Sequence, residues 1–305
     1  MIDRRIKFRH IQCFVEICRQ KSLKKAAERQ FLTQPAISKT LKELEDILDT
    51  HLLNRSRAGV SLTKEGEVFL HFAEMSVASL QQGLYGVEQI SSGGKTRLAV
   101  GALPSVAARL MPSVVQALSS LTDDVRLSIS DGPHSFLMDR LRRGELDLVI
   151  GRLGAPDTMK GISFTQLYHE HVVVVVRPEH PLCGEPNLAR LSEWPVLYPS
   201  EASAIRPLVE RFMIANGIGE IPNRIETVSG AFGRSYVTKS DAIWIISAGV
   251  VANEVEDGRL VQLPFDMDTT RGPVGLMVRQ ESEAGPAERM FRLAVSQTIR
   301  DLKMD

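Results

Sequence analysis

The chain changes its periodicity at Ser91-Ser92-Gly93-Gly94-Lys95. Before that stretch, apolar residues recur every three or four positions, the spacing of amphipathic helices; after it, short strand-like runs alternate with helical ones. Paired serines and glycines favour a bendable joint, so the chain reads as two dissimilar folding parts meeting near residue 92. With 305 residues, 43% of them apolar and 24% charged, there is enough chain to bury real cores. Disorder and collagen-like structure are excluded.

Charge divides at a nearby point. Lys plus Arg total 37, as do Asp plus Glu, giving a net charge of zero. Residues 1–66, however, hold 14 basic against 8 acidic side chains, a net of +6, and the remaining 239 hold 23 against 29. A basic head before an acidic remainder is expected where one part meets a polyanion and the other does not. Cys13, Cys18 and Cys183 are too few for a disulfide framework and suit a reducing compartment. Met-Ile-Asp-Arg-Arg-Ile-Lys at the start lacks an apolar core, and the run Val172 to Val176 is too short for a bilayer. The expectation is a soluble, cytoplasmic chain.

In the head, Phe8, Ile11, Phe14, Val15 and Cys18 share one helical face. A second helix starts after Ser22, an N-cap, and carries Ala26-Ala27, which allow close approach of another helix. Thr33 caps a third, with Pro35 tolerated in its first turn. There Ile37, Leu41, Leu44 and Leu48 form an inner stripe, opposite Pro35, Ser38, Lys39 and Lys42, with Gln34 at the entrance. Amide, hydroxyl and cationic groups near a helix N-terminus suit the major groove, where Gln pairs with adenine edges and Ser or Lys reaches bases or phosphates; an ordinary solvated face is the plain alternative. The next run, Leu52 to Thr63, reads as two short strands around Gly59. This would be a wing, with Arg55 and Arg57 meeting phosphates or entering a minor groove.

From Lys64 to about Ile90 the residues Leu70, Ala73, Val77, Leu80, Leu84 and Val87 repeat at the spacing of a coiled-coil seam. Gly83 and Gly86 weaken this helix on its own, so pairing with its twin in a second subunit is expected, a same-chain partner being the alternative.

Beyond the joint, strand and helix alternate in two series, which implies two open α/β lobes with parallel strands and right-handed crossovers. A single helix is expected over Val106 to Leu121. The chain would pass between lobes near Tyr168 to His171 and return near Met267 to Arg271. Ligands of such folds sit where strand C-termini meet helix N-termini. Three loops offer groups there: Leu103-Pro104-Ser105; Ser200 and Ser203 with Arg206; and Ser229 with Phe232 and Arg234. Arg152 follows a strand end. Hydroxyls and free N–H groups favour a carboxylate, and arginine can hold one as a fork; each serine taken singly is more often a plain cap, and it is their convergence on one cleft that points to a small organic anion. His169 and His171 flank Glu170 without a third ligand in position, so no metal is expected. Nucleophile-elbow, zinc-protease, P-loop and dinucleotide motifs are absent, and no enzyme is expected.

Ala26-Ala27, Thr33-Gln34-Pro35-Ala36-Ile37-Ser38, Leu41 with Glu43-Leu44-Glu45, Leu52-Leu53-Asn54-Arg55 and Leu62-Thr63 with Glu65-Gly66 together resemble the signature of LysR-type transcriptional regulators. The resemblance implies an N-terminal winged helix-turn-helix (1–66), a linker and dimerisation helix with hinge (64–92), and a periplasmic-binding-protein-like effector domain (93–305). Lobe I would span about 96–168 and 272–305, and lobe II about 169–271. It carries DNA-reading positions onto Gln34, Pro35, Ser38, Lys39 and Arg55, and Ser22, Thr33, Lys42 and Arg57 are expected on the same DNA-binding surface. Lys39 stands where the family often has arginine and lacks that residue's bidentate fork. The whole chain is most similar to regulators of protocatechuate catabolism in the β-ketoadipate pathway, which implies an acid such as β-carboxy-cis,cis-muconate as effector. It further implies a homodimer assembling to a tetramer on a palindromic promoter site, where RNA polymerase is a possible contact. A regulator of another pathway, or a solute-binding protein, are the alternatives.

Overall fold

The computed structural model describes residues 4–56, 59–92, 95–280 and 284–304. Two compact units emerge: residues 1–92 with Arg142–Gly144, and the rest.

The first unit opens with three helices, α1 (Phe8–Gln20), α2 (Leu23–Arg29) and α3 (Gln34–Leu48). Ser22 and Thr33 cap as their sequence positions suggest, their side-chain oxygens accepting the Lys25 and Ala36 N–H groups at 3.4 Å each. Ile37, Leu41 and Leu44 are buried among Phe14, Ile17 and Ala27, while Leu48 is half-buried. Strands β1 (Leu53–Ser56) and β2 (Gly59–Leu62) form an antiparallel ribbon in which Leu53 faces Leu62 and Arg55 faces Val60. Thr63 then caps α4 (Lys64–Ser92) by accepting the Gly66 N–H at 2.9 Å. A Cβ on Gly66 would stand 2.0 Å from the Leu52 carbonyl oxygen. Glycine is therefore what lets the base of the wing pass beside the first turn of α4.

The seam expected along α4 is divided. Ala73 and Val77 are buried in the core of the head, with Leu70 beside them, and Phe69 meets Phe14 of α1 edge to face at 5.4 Å. These positions are used within the protomer, whereas Leu80, Leu84 and Val87 are exposed. Length explains the division: at 1.5 Å per residue, α1 is about 20 Å long and α4 about 43 Å, so α1 covers only part of it. Val68 and Phe72, absent from the expected stripe, are also exposed.

The second unit runs β3 (Thr96–Ala102), α5 (Pro104–Arg109), α6 (Met111–Leu121), β4 (Val125–Asp131), α7 (His134–Arg142), β5 (Leu148–Arg152), β6 (Ile162–Glu170) and β7 (Val172–Val176). There follow β8 (Val196–Tyr198), α8 (Arg206–Ala215), β9 (Arg224–Glu226), α9 (Gly230–Val237), β10 (Ile243–Ser247), α10 (Ala248–Glu256), β11 (Val261–Gln262), β12 (Gly272–Arg279) and α11 (Pro286–Asp301). The expected helix Val106 to Leu121 is two helices meeting at Leu110, because Pro112 in the first turn of α6 has no N–H for a continuous ladder.

Two five-stranded sheets result, ordered β4-β3-β5-β12-β6 and β11-β7-β10-β8-β9. They are mixed, and this corrects the parallel expectation. β3 runs parallel to β4 and β5, and β8 to β9 and β10, as βαβ units require. The strands at the two passages are antiparallel: β12 to β5 and β6, and β7 to β10 and β11. The chain leaves lobe I on β6 and returns on β12, and because these two traverse the junction in opposite directions, they pair antiparallel.

Candidate functional site

On α3 the inner stripe is sealed, and Gln34, Pro35, Lys39 and Lys42 remain exposed with Ser38 half-buried. Thr33 and Ser22 use their oxygens as caps, yet each hydroxyl retains its proton to donate. Arg55 lies on β1; Arg57 and the joint glycines Gly93 and Gly94 lie outside the described residues. Ser38, Lys39 and Lys42 line a groove of about 600 Å³ together with Glu45, Asp46, His51, Leu53 and Asn54. His51 is not evident from sequence because it sits on the connection from α3 into β1, outside any helical period, and Asn54 is the second residue of β1. The alternation of Leu53 inward and Asn54 outward is a usable signal.

A second tie fixes α3 on the head. Glu43 accepts hydrogen bonds from His10 Nε2 at 3.3 Å and from Arg9 at 3.0 Å. The His10 bond, then Arg9, hold the Glu43 carboxyl below the usual range although partial burial opposes them. The recognition-like helix is thus tied to α1 by a carboxylate that stays charged.

In the sensor-like unit the candidates separate into two groups. Ser105 is buried at the start of α5, and a Cβ on Gly249 would lie 3.1 Å from its Cβ and 2.5 Å from Glu170 Oε1. Glu170 Oε1 accepts the Gly249 N–H at 3.1 Å. Arg152 donates to the backbone oxygens of Thr270 at 3.1 Å and Glu170 at 2.8 Å, one on each passage between the lobes, and stands 3.9 Å from Glu170 Oε2. Burial pulls the Arg152 guanidinium below the usual arginine range, with Glu170 opposing. Leu103 packs against Gly151, and Pro104 begins α5. Ser105 and Arg152 therefore come together at the lobe junction around Glu170, which by sequence alone reads as a solvated strand residue.

Arg206 and Arg234 belong to the other group and are already engaged. Arg206 donates to Glu210 at 2.5 Å, to Glu226 at 2.9 Å and to the Pro199 carbonyl at 2.7 Å, and it lies over the Tyr198 ring. Burial would lower its pKa, but the two carboxylates outweigh burial and raise it. Arg234 pairs with Glu254 at 3.1 Å and donates to the Val250 carbonyl at 2.5 Å. Ser203 accepts the Ile205 N–H and Ser229 the Phe232 N–H, at 3.4 and 3.2 Å, which is cap and turn work; Ser200 is half-buried. Phe232 is exposed and stacks on Tyr236 with centroids 5.4 Å apart. Among the described residues no cluster of His, Cys, Asp and Glu could hold a metal, and no helix is long and apolar enough to cross a membrane.

Residues 8–67 match the bacterial regulatory helix-turn-helix family of LysR type, and residues 91–300 match the LysR substrate binding domain. This chain belongs to the LysR family of transcriptional regulators. Like its relatives, it is a DNA-binding transcription regulator and not an enzyme. It is 45% identical to the HTH-type transcriptional regulator PcaQ of Agrobacterium fabrum over 305 residues, covering 99% of this chain and 98% of PcaQ. Among solved structures the LysR-type regulator resembles CbnR, with a TM-score of 0.58 at 19% identity over 96% of this chain and 99% of that one. It also resembles full-length CbnR complexed with its target DNA, with a TM-score of 0.56 at 18% identity, covering 96% and 100%. At these identities the likeness to CbnR is one of fold.

Proposed function

We propose that this LysR-type regulator activates genes of protocatechuate or related aromatic-acid breakdown in response to a small organic acid of that pathway. The carrying observation is the 45% identity to PcaQ along essentially the whole of both chains, sensor as well as head. The DNA-reading surface is the outer face of α3 with the groove it forms beside β1, Gln34 and Ser38 serving base edges and Lys39 and Lys42 phosphates, with Arg55 and Arg57 as further phosphate contacts. The protein would act as a dimer paired through α4, assembling to a tetramer on a palindromic site. Effector bound at the lobe junction near Ser105 and Arg152 would shift the DNA-bound arrangement through unequal affinity for two states.

Gel shifts on the regulator's own promoter region test the head: loss of binding in the Gln34→Ala, Lys39→Ala double variant is expected, and wild-type binding by it would sink the assignment. A thermal-shift panel of aromatic-pathway acids against amino acids tests the sensor. An acid at 100 times its dissociation constant adds about 2.7 kcal/mol, and β-carboxy-cis,cis-muconate is the first acid to try. One observation favours a second reading. Arg206 and Arg234 are paired to Glu210, Glu226 and Glu254, whereas Arg152, although it donates to the Thr270 and Glu170 carbonyls, keeps a buried Nε without a hydrogen-bond partner, which suits a monocarboxylate from another pathway. Stabilisation by amino acids alone would decide for it.

A further inference from the structure

We infer that Glu45 is a positioning residue for DNA reading, holding the wing in register with the recognition helix; the inference rests on the DNA-binding surface proposed above. Glu45 lies on α3 but is only 9% exposed, unusual for a carboxylate on a helix whose outer face is polar. Its Oε1 accepts two backbone N–H groups, those of Leu52 at 2.8 Å and Leu53 at 3.2 Å. Oε2 faces His51 Nδ1 at 3.5 Å. The backbone oxygen of the same residue accepts the N–H of Thr50 at 3.2 Å and that of Asp49, which turns the chain at a left-handed φ of 51°. One residue thus ends α3, shapes the turn and sets where β1 begins.

The far side of that connection is equally fixed. Leu52 and Leu53 are buried in the core of the head, and the Leu52 carbonyl accepts the Thr63 N–H at 3.0 Å. Asn54 and Arg55 follow directly, so the offset between the groups on α3 and the groups on the wing is set at Glu45. Two buried N–H groups without an acceptor would otherwise each carry a desolvation penalty, which favours the carboxylate staying in place. Because both donors converge on Oε1, glutamine can keep both bonds while removing the charge. Aspartate is one methylene too short to reach them and keeps the charge.

The full-length protein is compared as wild type, Glu45→Gln, Glu45→Asp and Glu45→Ala, by hydroxyl-radical footprinting on its promoter DNA and by amide hydrogen exchange of residues 50–56. Glu45→Gln should keep the wild-type footprint with affinity within about threefold. Glu45→Asp and Glu45→Ala should exchange faster at Leu52 and Leu53, lose protection at the outer flanks where the wing lies, and keep the protection centred on α3. Their affinity should fall about tenfold or more, with the log–log salt slope shallower by about one for every phosphate that the wing no longer reaches. A uniform loss of protection in proportion to lowered melting temperature, or failure of Glu45→Gln to restore the flanks, would overturn the inference. Wild-type protein that binds no promoter DNA would instead overturn the proposed reading surface, independently of the exchange result.

Discussion

Lys39 keeps a positive charge in the groove but offers a point donor in place of a fork. Replacing it with alanine should weaken binding to all sequences nearly alike and make the salt slope shallower by about one, whereas Gln34→Ala should cost about 1–3 kcal/mol at one base pair only. Anisotropy titrations with single-base-pair variants of the site separate the two. The cysteines allow a prediction with no DNA. Burial pushes the Cys13 thiol up to about 11, and burial with Glu74 nearby pushes Cys18 up to about 12. Thiolate is the reactive form, so at pH 8 both should resist iodoacetamide until urea opens the head. Raised folded-state values also set a sign. The folded state keeps its protons when the unfolded chain, titrating near about 8.5, releases them. Stability is thus full below that pH and falls as pH climbs toward 11 and 12, which urea midpoints at pH 8 and pH 10.5 would show.

Helix α4 shows how far a repeat can be read. Its spacing of threes and fours is legible in the sequence, and so is its length, but not which turns face the same chain. Nothing local distinguishes Val77, buried against α1, from Leu84, exposed one heptad on; only the length of α1 decides. Val77→Ala should therefore destabilise the head by about 2 kcal/mol with assembly intact. Phe72→Asp should shift the protein toward monomer by light scattering and remove the dependence of its melting temperature on protein concentration. Gly66→Ala places a methyl against the Leu52 carbonyl and should cost about 1–3 kcal/mol in urea titrations. The caps Ser22, Thr33 and Thr63, the buried stripe of α3 and the wing ribbon are all visible in the sequence, because each depends on residues a few positions apart. Glu45 is not, since a carboxylate on an amphipathic helix reads as solvated until the backbone it caps is in view.

At the scale of the molecule, the division into a basic head and an acidic sensor is written in the charge distribution. The junction between the lobes is not: Arg152 meets Thr270 across 118 residues of sequence, and no local pattern announces such a pair. Arg206 and Arg234 read as free cations for a related reason: Glu226 and Glu254 come from other elements, and only Glu210, four residues on along α8, lies within local reach of Arg206. Removing one partner of a buried pair leaves the other uncompensated, so Arg152→Ala should lower stability by about 3–5 kcal/mol. Glu170→Gln, which keeps an oxygen for the Gly249 N–H, should lose less. Urea unfolding of the full-length chain reads both.

β12 is an interior strand of the first lobe's sheet, between β5 and β6, yet it is the last strand among the described residues. During synthesis the head can therefore finish folding while that lobe still lacks the strand that joins β6 to β5. A chain stopped before residue 272 would carry a competent DNA-reading head on an open, aggregation-prone sensor, and would compete for operators without the means to answer a ligand.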